Sequence, residues 1–112
     1  MIHAIYDAQN TCLANQVEVP LSAFAKMKGL LPYKEIQNNF AMVFENAKQI
    51  HMFFMRTAID VMYLDEQQKV LFVGTIKPWR IGPYLRKTKW IVEGKKGAFS
   101  HVKVGDTIYL HT

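Results

Sequence analysis

The chain has one cysteine, Cys12, in 112 residues, so neither an internal disulfide nor a cysteine-rich zinc site can form. A buried or inert thiol is the plain reading of it. Serine is almost as scarce. Ser22 and Ser100 are the only two, and neither sits in a nucleophile elbow. A Cys–His pair and a phosphate-cradling glycine loop are missing as well. No window reaches the roughly 18–20 apolar residues that a membrane-spanning helix needs. The opening MIHAIYDAQNTC lacks the basic start and apolar run of a secretory signal. These absences predict a cytoplasmic protein with no membrane partner. The histidines His3, His51, His101 and His111 are scattered with no pair at chelating spacing, so neither a metal nor another cofactor is expected.

What is present is apolar. Half of the residues are hydrophobic and 12% are aromatic, enough to offset the entropy of ordering one domain over residues 1–112. The net charge of +5 is uneven. Residues 1–76 carry six Lys/Arg against seven Asp/Glu, a net −1; residues 77–112 carry eight against two, a net +6. The basic set is Lys77, Arg80, Arg86, Lys87, Lys89, Lys95, Lys96 and Lys103. Such a skew suits either an anionic partner or a solvated basic loop.

Period-two alternation and turn residues predict short strands. IHAIYD reads as one, and QVEVP as another that stops at Pro20. Further runs lie at 40–45, 49–55, 60–65, 69–76, 89–94 and 106–111, separated by ENAK, DEQQ, EGKKG and VGD. One short α-helix is expected near residues 21–29, with Ser22 placed to cap it, Gly29 to end it and Pro32 to forbid its continuation. AFSHV, 98–102, suits a single helical turn. The fold class that follows is mainly β: an antiparallel sandwich or small open barrel of about six to eight short strands. KPWRIGPYLRKT, 77–88, has neither periodicity and reads as an ordered surface loop, a class of segment that often carries function.

The run IHMFFMRTAIDVMYLD sets His51, Arg56 and Asp60 into an apolar background. As a strand, 50–56 is apolar on both faces, which predicts a central position covered on both sides. Arg56 and Asp60 flank three residues and are expected to meet across the bend, either as a brace at the core edge or as a guanidinium fork for an anion. His51 is either bonded to backbone at a strand end or a ligand-binding imidazole. Trp79 and Arg80 offer a flat platform beside a fork donor, suited to a planar or sugar-like ligand. Alternatively, Trp79 plugs one end of the sandwich and Arg80 pairs with Glu93.

KGLL (28–31), residues 41–73, KPWR (77–80), WIVEGKKG (90–97) and VGDTI (104–108) together resemble the bacterial and archaeal family called domain of unknown function 192. The resemblance spans about Phe24 to Leu110 and rests on the order and spacing of the pieces. Ala41, Met52 and Thr57–Ala58 depart from the family's usual glycine, threonine and aromatic-proline pair. The resemblance implies a mostly β, sandwich-like domain with one short helix, and no established reaction. Residues matching its pattern that could converge are His51, Arg56, Asp60, Trp79, Arg80 and Glu93.

The expected function is a noncatalytic module binding a small molecule or protein, with a cleft beside the 77–88 loop and those six residues as ligand contacts. No residue is assigned a catalytic role. Two other readings stand beside it. One is a small hydrolase using His51 as base, Asp60 or Glu93 as acid or orienter and Arg56 as oxyanion stabiliser. The other is nucleic-acid binding through the basic, aromatic-interleaved C-terminal third.

Overall fold

The computed structural model describes residues 1–20, 35–52 and 55–112. The helix expected near 21–29 lies outside the described residues. Eight strands form among them: β1 (Ala4–Tyr6), β2 (Cys12–Ala14), β3 (Gln16–Glu18), β4 (Phe40–Glu45), β5 (Ile59–Leu64), β6 (Val70–Ile76), β7 (Trp90–Lys95) and β8 (Tyr109–His111). They make a three-stranded sheet, order β2-β1-β8, and a five-stranded sheet, order β3-β4-β7-β5-β6. The mainly β, sandwich-like expectation holds. All pairings are antiparallel except β3 with β4, which is parallel.

Two hairpins share one turn device. In β1–β2 the Asp7 Oδ1 accepts the amides of Gln9 and Thr11 at 2.9 and 2.8 Å, and Asn10 takes a left-handed φ of 64°. In β5–β6 the Asp65 Oδ1 accepts those of Gln67 and Lys69 at 2.9 and 3.0 Å, and Gln68 takes φ 63°. An aspartate that bonds its own turn, followed by a left-handed residue, closes a short hairpin with a bulge. Gly105 at φ 94° likewise serves the turn before β8.

Side-chain alternation gives the five-stranded sheet two apolar faces. Ala41, Val43, Met62, Leu64 and Val92 point inward and pack with Ile5, Ala14, Val102 and Ile108 between the sheets. Met42, Phe44, Val61, Tyr63 and Ile91 point the other way and pack with Ile36, Ile50 and Met52. β5 is consequently buried at all six positions. Each fully buried aliphatic side chain contributes about 1.5–3 kcal/mol relative to exposure.

The central strand is β7, and the described residues 49–52 of the run expected at 49–55 belong to neither sheet. Residues 49–52 stay extended but lie across the outer face, with Ile50 and Met52 turned in and His51 turned out. Their backbone groups pair with the 77–85 loop instead of a sheet strand. Trp79 N donates to Met52 O, Met52 N to Arg80 O, and Gly82 N to Ile50 O, each at 2.8 Å; Leu85 N donates to Lys48 O at 3.0 Å. The apolar alternation was therefore a signal of packing, while the ladder partner was a loop restricted by Pro78 and Pro83. The turn at 95–102 closes through successive three-residue bonds from Ala98, Ser100 and Val102, and not as a helix.

Gly82 sets how closely this cover sits. A Cβ there would lie 2.7 Å from both Ile50 Cγ2 and the Tyr63 hydroxyl. Ile50 is stiff at its branch point, and the Tyr63 oxygen is held by the Ile50 amide at 3.1 Å. Gly82→Ala is expected to lower stability by about 1–3 kcal/mol through overpacking. Urea unfolding measures this; an unchanged midpoint would show that the loop does not press on the sheet.

Candidate functional site

The six residues singled out in the sequence fall into separate environments. His51 and Ile81 form an isolated antiparallel bridge, and both are exposed. Trp79 and Arg80, also exposed, lie on the same pair of segments. The structure therefore brings His51, Trp79 and Arg80 to one outer surface. Arg56 is exposed on the bend before β5.

Asp60 does not meet Arg56. It is 4% exposed and faces the inner side of the sheet, level with Gly94. Its Oδ1 accepts from the Thr75 hydroxyl at 2.7 Å and its Oδ2 from the Phe99 amide at 3.0 Å. The Phe99 ring covers Gly94, where a Cβ would come within 2.9 Å of it. The bend after Arg56 turns the chain so that Asp60, one position into β5, enters the core, and the strand's alternation fixes its side. Asp60 thus anchors the 95–102 turn to the sheet.

Glu93 lies on the opposite, outer face, level with Met42 and Val61, where it is buried; among the described residues it forms no ion pair with the exposed Arg80. It is 6% exposed, and burial pushes its pKa up to about 8. Tyr63 is the titratable neighbour. Burial also raises the Tyr63 pKa, the bond from the Ile50 amide opposes that rise, and the Glu93 charge adds to it. At neutral pH Glu93 is a protonated acid in an apolar layer.

A surface depression of about 430 Å³ opens where β4 and β5 end and β7 begins. It is lined by Asn46, Lys48, Asp65–Gln67 and Arg86–Lys89. Main-chain bonds from Lys89 N to Leu64 O, 2.7 Å, and from Asn46 N to Lys89 O, 2.6 Å, hold the three strand ends together. Lys48 Nζ donates to Thr88 O at 2.7 Å, and Lys89 Nζ donates to Asn46 Oδ1 at 2.9 Å with Glu45 at 3.4 Å. The basin lies beside the end of the 77–88 loop, but it contains none of the six residues expected to touch ligand. Arg86, Lys87 and Lys89 were visible in the sequence as part of the basic third. Lys48 and Thr88 were not, because their contribution depends on the strand ends converging. No group of three or more metal-ligating side chains gathers among the described residues, and none of their helices is long and apolar enough to cross a membrane.

Residues 4–110 match the family DUF192, described as "Uncharacterized ACR". The chain belongs to the domain of unknown function 192 family. It is 43% identical over 61 residues to a UPF0127 protein of Pyrococcus horikoshii, a match covering 53% of each chain. A UPF0127 protein of Thermococcus kodakarensis is 36% identical over 92 residues, 74% of this chain and 57% of that one. The chain thus spans about half the length of the curated relatives it matches. The fold is similar to a crystal structure of a protein of unknown function from Novosphingobium aromaticivorans, with a TM-score of 0.77, 15% identity, and 95% of this chain and 81% of that one covered. A Sinorhizobium meliloti structure, described as a candidate transcription regulator, gives 0.75 and 14%, covering 95% and 89%. At that identity the DUF192 chain shares with both the fold alone.

Two outcomes follow from the buried carboxyls. Asp60→Ala strips two hydrogen bonds and leaves the Phe99 amide unsatisfied in the core, which is expected to cost about 3 kcal/mol, whereas Asp60→Asn retains an acceptor and costs about 1 kcal/mol. Equilibrium denaturation of both distinguishes an anchor from a dispensable group. For Glu93, the unfolded chain releases its proton near the ordinary value of 4.5 and the folded chain near 8. Between those values the unfolded state binds fewer protons, so stability falls as pH rises, by about 5 kcal/mol in all. Glu93→Gln should remove that slope from stability measured between pH 4.5 and 8; an unchanged slope places its origin elsewhere.

Proposed function

We propose that this DUF192 chain is a noncatalytic binding module that presents the 77–85 limb of its loop to a planar or sugar-like ligand. The observation that carries this reading is Trp79. It is 59% exposed and held at φ 66°, in the left-handed region. That conformation costs a residue with a side chain about 1–2 kcal/mol. Strain of this kind persists where surrounding contacts over-determine it, often at ligand-binding segments. Here the contact is the bond from the Trp79 amide to Met52 O. Ile81 and Tyr84 are exposed on the same limb, and Arg80 adds a fork of donors. A pinned backbone carrying aromatic surface loses little entropy on binding.

The separated positions of Asp60 and Glu93 favour binding over acid–base work. A general base and its orienter must share hydrogen-bond reach. Asp60 is committed to Thr75 and Phe99 on the inner face, and Glu93 is buried whereas His51 is turned out and exposed.

Trp79→Gly is the informative variant because glycine accepts the left-handed φ while removing the indole. In a thermal-shift and intrinsic-fluorescence screen with nucleosides and oligosaccharides, a ligand of the wild-type chain is expected to quench Trp79. Its effect should vanish in Trp79→Gly and weaken about tenfold in Arg80→Gln. Both variants should keep their melting temperature within about 4 °C. Binding that persists in Trp79→Gly, or unfolding of both variants, would show the loop to be a structural plug.

A further inference from the structure

Two stretches of the chain carry no carboxylate: 46–59, between Glu45 and Asp60, and 67–92, between Glu66 and Glu93. The fold pairs them on the outer face. Leu85 N donates to Lys48 O, Gln49 Nε2 to Gly82 O, Gly82 N to Ile50 O, Met52 N to Arg80 O and Trp79 N to Met52 O, all at 2.8–3.0 Å. Residues 48–52 and 79–85 therefore run antiparallel as a ribbon, stiffened by Pro78 and Pro83. The cations Lys77, Arg80, Arg86 and Lys87 are exposed on it and at its ends. Among the described residues no carboxylate pairs with any of the four.

Charge alone would describe a solvated basic surface. What sets this one apart is apolar. Trp79, Ile81 and Tyr84 are 59%, 57% and 62% exposed within six residues of one another, on backbone that is already bonded in place. Of the aromatics interleaved with the basic C-terminal third, Trp90 and Phe99 pack in the inner core, whereas Trp79 and Tyr84 stay open.

Resting on the reading of the Trp79 limb as a binding surface, we infer that its ligand is single-stranded nucleic acid: bases stack on Trp79 and Tyr84, and phosphates meet Lys77, Arg80, Arg86 and Lys87. Every base has a flat π-face and is followed by a phosphate, so rings alternating with cations suit a strand whose bases are unstacked. A duplex keeps those faces covered. From Trp79 to Arg86 the chain reaches at most about 25 Å, room for about four to seven nucleotides. An anionic bilayer is a poorer match, because Arg80 and the Gly82–Pro83 pair separate the three apolar side chains that would have to insert together. No base edge is selected by stacking and phosphate contacts, so RNA and DNA strands should bind alike.

The experiment is fluorescence anisotropy of labelled octauridylate and octathymidylate with the full chain at about 50 and 200 mM salt, beside a blunt DNA duplex and phosphatidylglycerol vesicles. Both single strands are expected to saturate with similar affinity, tighter than the duplex. Four phosphate contacts should weaken them about fiftyfold across that salt range. Trp79→Gly and Tyr84→Ala should each weaken binding about tenfold through lost stacking, with the melting temperature held. Arg80→Gln should lower the salt slope by about 0.7. Lys96→Gln with Lys103→Gln, on the segment that covers the inner face, should leave affinity within about twofold at the higher salt, where distant charges are screened. No saturable binding of either strand, equal affinity for the duplex, an equal loss in the Lys96 and Lys103 double variant, or capture by vesicles while the strands stay free would each overturn the inference. If the strands fail while a nucleoside or neutral oligosaccharide still quenches Trp79, nucleic acid is excluded and the binding limb stands. Strands that bind Trp79→Gly and Tyr84→Ala as tightly as the wild-type chain would end both.

Discussion

The structure depends on a sheet that must be covered twice. β5 is buried along its whole length because its neighbours carry apolar side chains on both faces. One face is covered by another sheet, which brings its own hydrogen-bonded backbone. The other is covered partly by irregular chain, and irregular chain cannot be buried unless its amides and carbonyls find partners. The pairing of residues 48–52 with 79–85 is that solution, and the Tyr63 hydroxyl completes it by accepting the Ile50 amide from beneath. The position of the Trp79 loop is therefore a consequence of how the sheet's outer face is sealed.

This constraint explains what the sequence disclosed about the fold. The strands at 40–45, 60–65, 69–76 and 89–94 appear within one residue of their expected bounds, because each alternates between two buried faces or ends at a turn residue. The DEQQ turn was legible through Asp65. The equivalent turn at Asp7 was not, although it uses the same bonds, because β2 is only three residues long and offers too little periodicity. The run at 49–55 misled for a different reason. Alternation reports which side chains are buried; it does not say whether the backbone pairs with a strand or with a loop. The parallel pairing of β3 with β4 was likewise invisible, since strand direction leaves no local signature.

The polar residues were harder to read. Arg56 and Asp60 are close in sequence and opposite in charge, yet strand alternation sends Asp60 inward to the Phe99 amide. A carboxyl that bonds a backbone amide 39 residues away cannot be inferred from its neighbours. Glu93 and Asp60 fall on opposite faces because their strands are in register at Val61–Glu93 and Asp60–Gly94, a one-position offset that reverses the side. The charge skew toward the C-terminal third did carry information about position. Three of its eight cations, Arg86, Lys87 and Lys89, line the basin.

Two buried polar groups among the described residues, Glu93 and Thr88, are costly in different ways. Glu93 lies in an apolar layer, where keeping its proton removes the charge and with it most of the penalty. Thr88 has no such escape, because a hydroxyl stays polar at every accessible pH. Its Oγ1 sits unpaired where Lys48, which bonds the Thr88 carbonyl, and Lys89 are both held by neighbouring oxygens. If the fold alone were being optimised, valine would serve better at this position, with the same shape and nothing left unsatisfied. The unpaired hydroxyl is therefore a local cost, outweighed by the main-chain bonds that hold the converging strand ends around it.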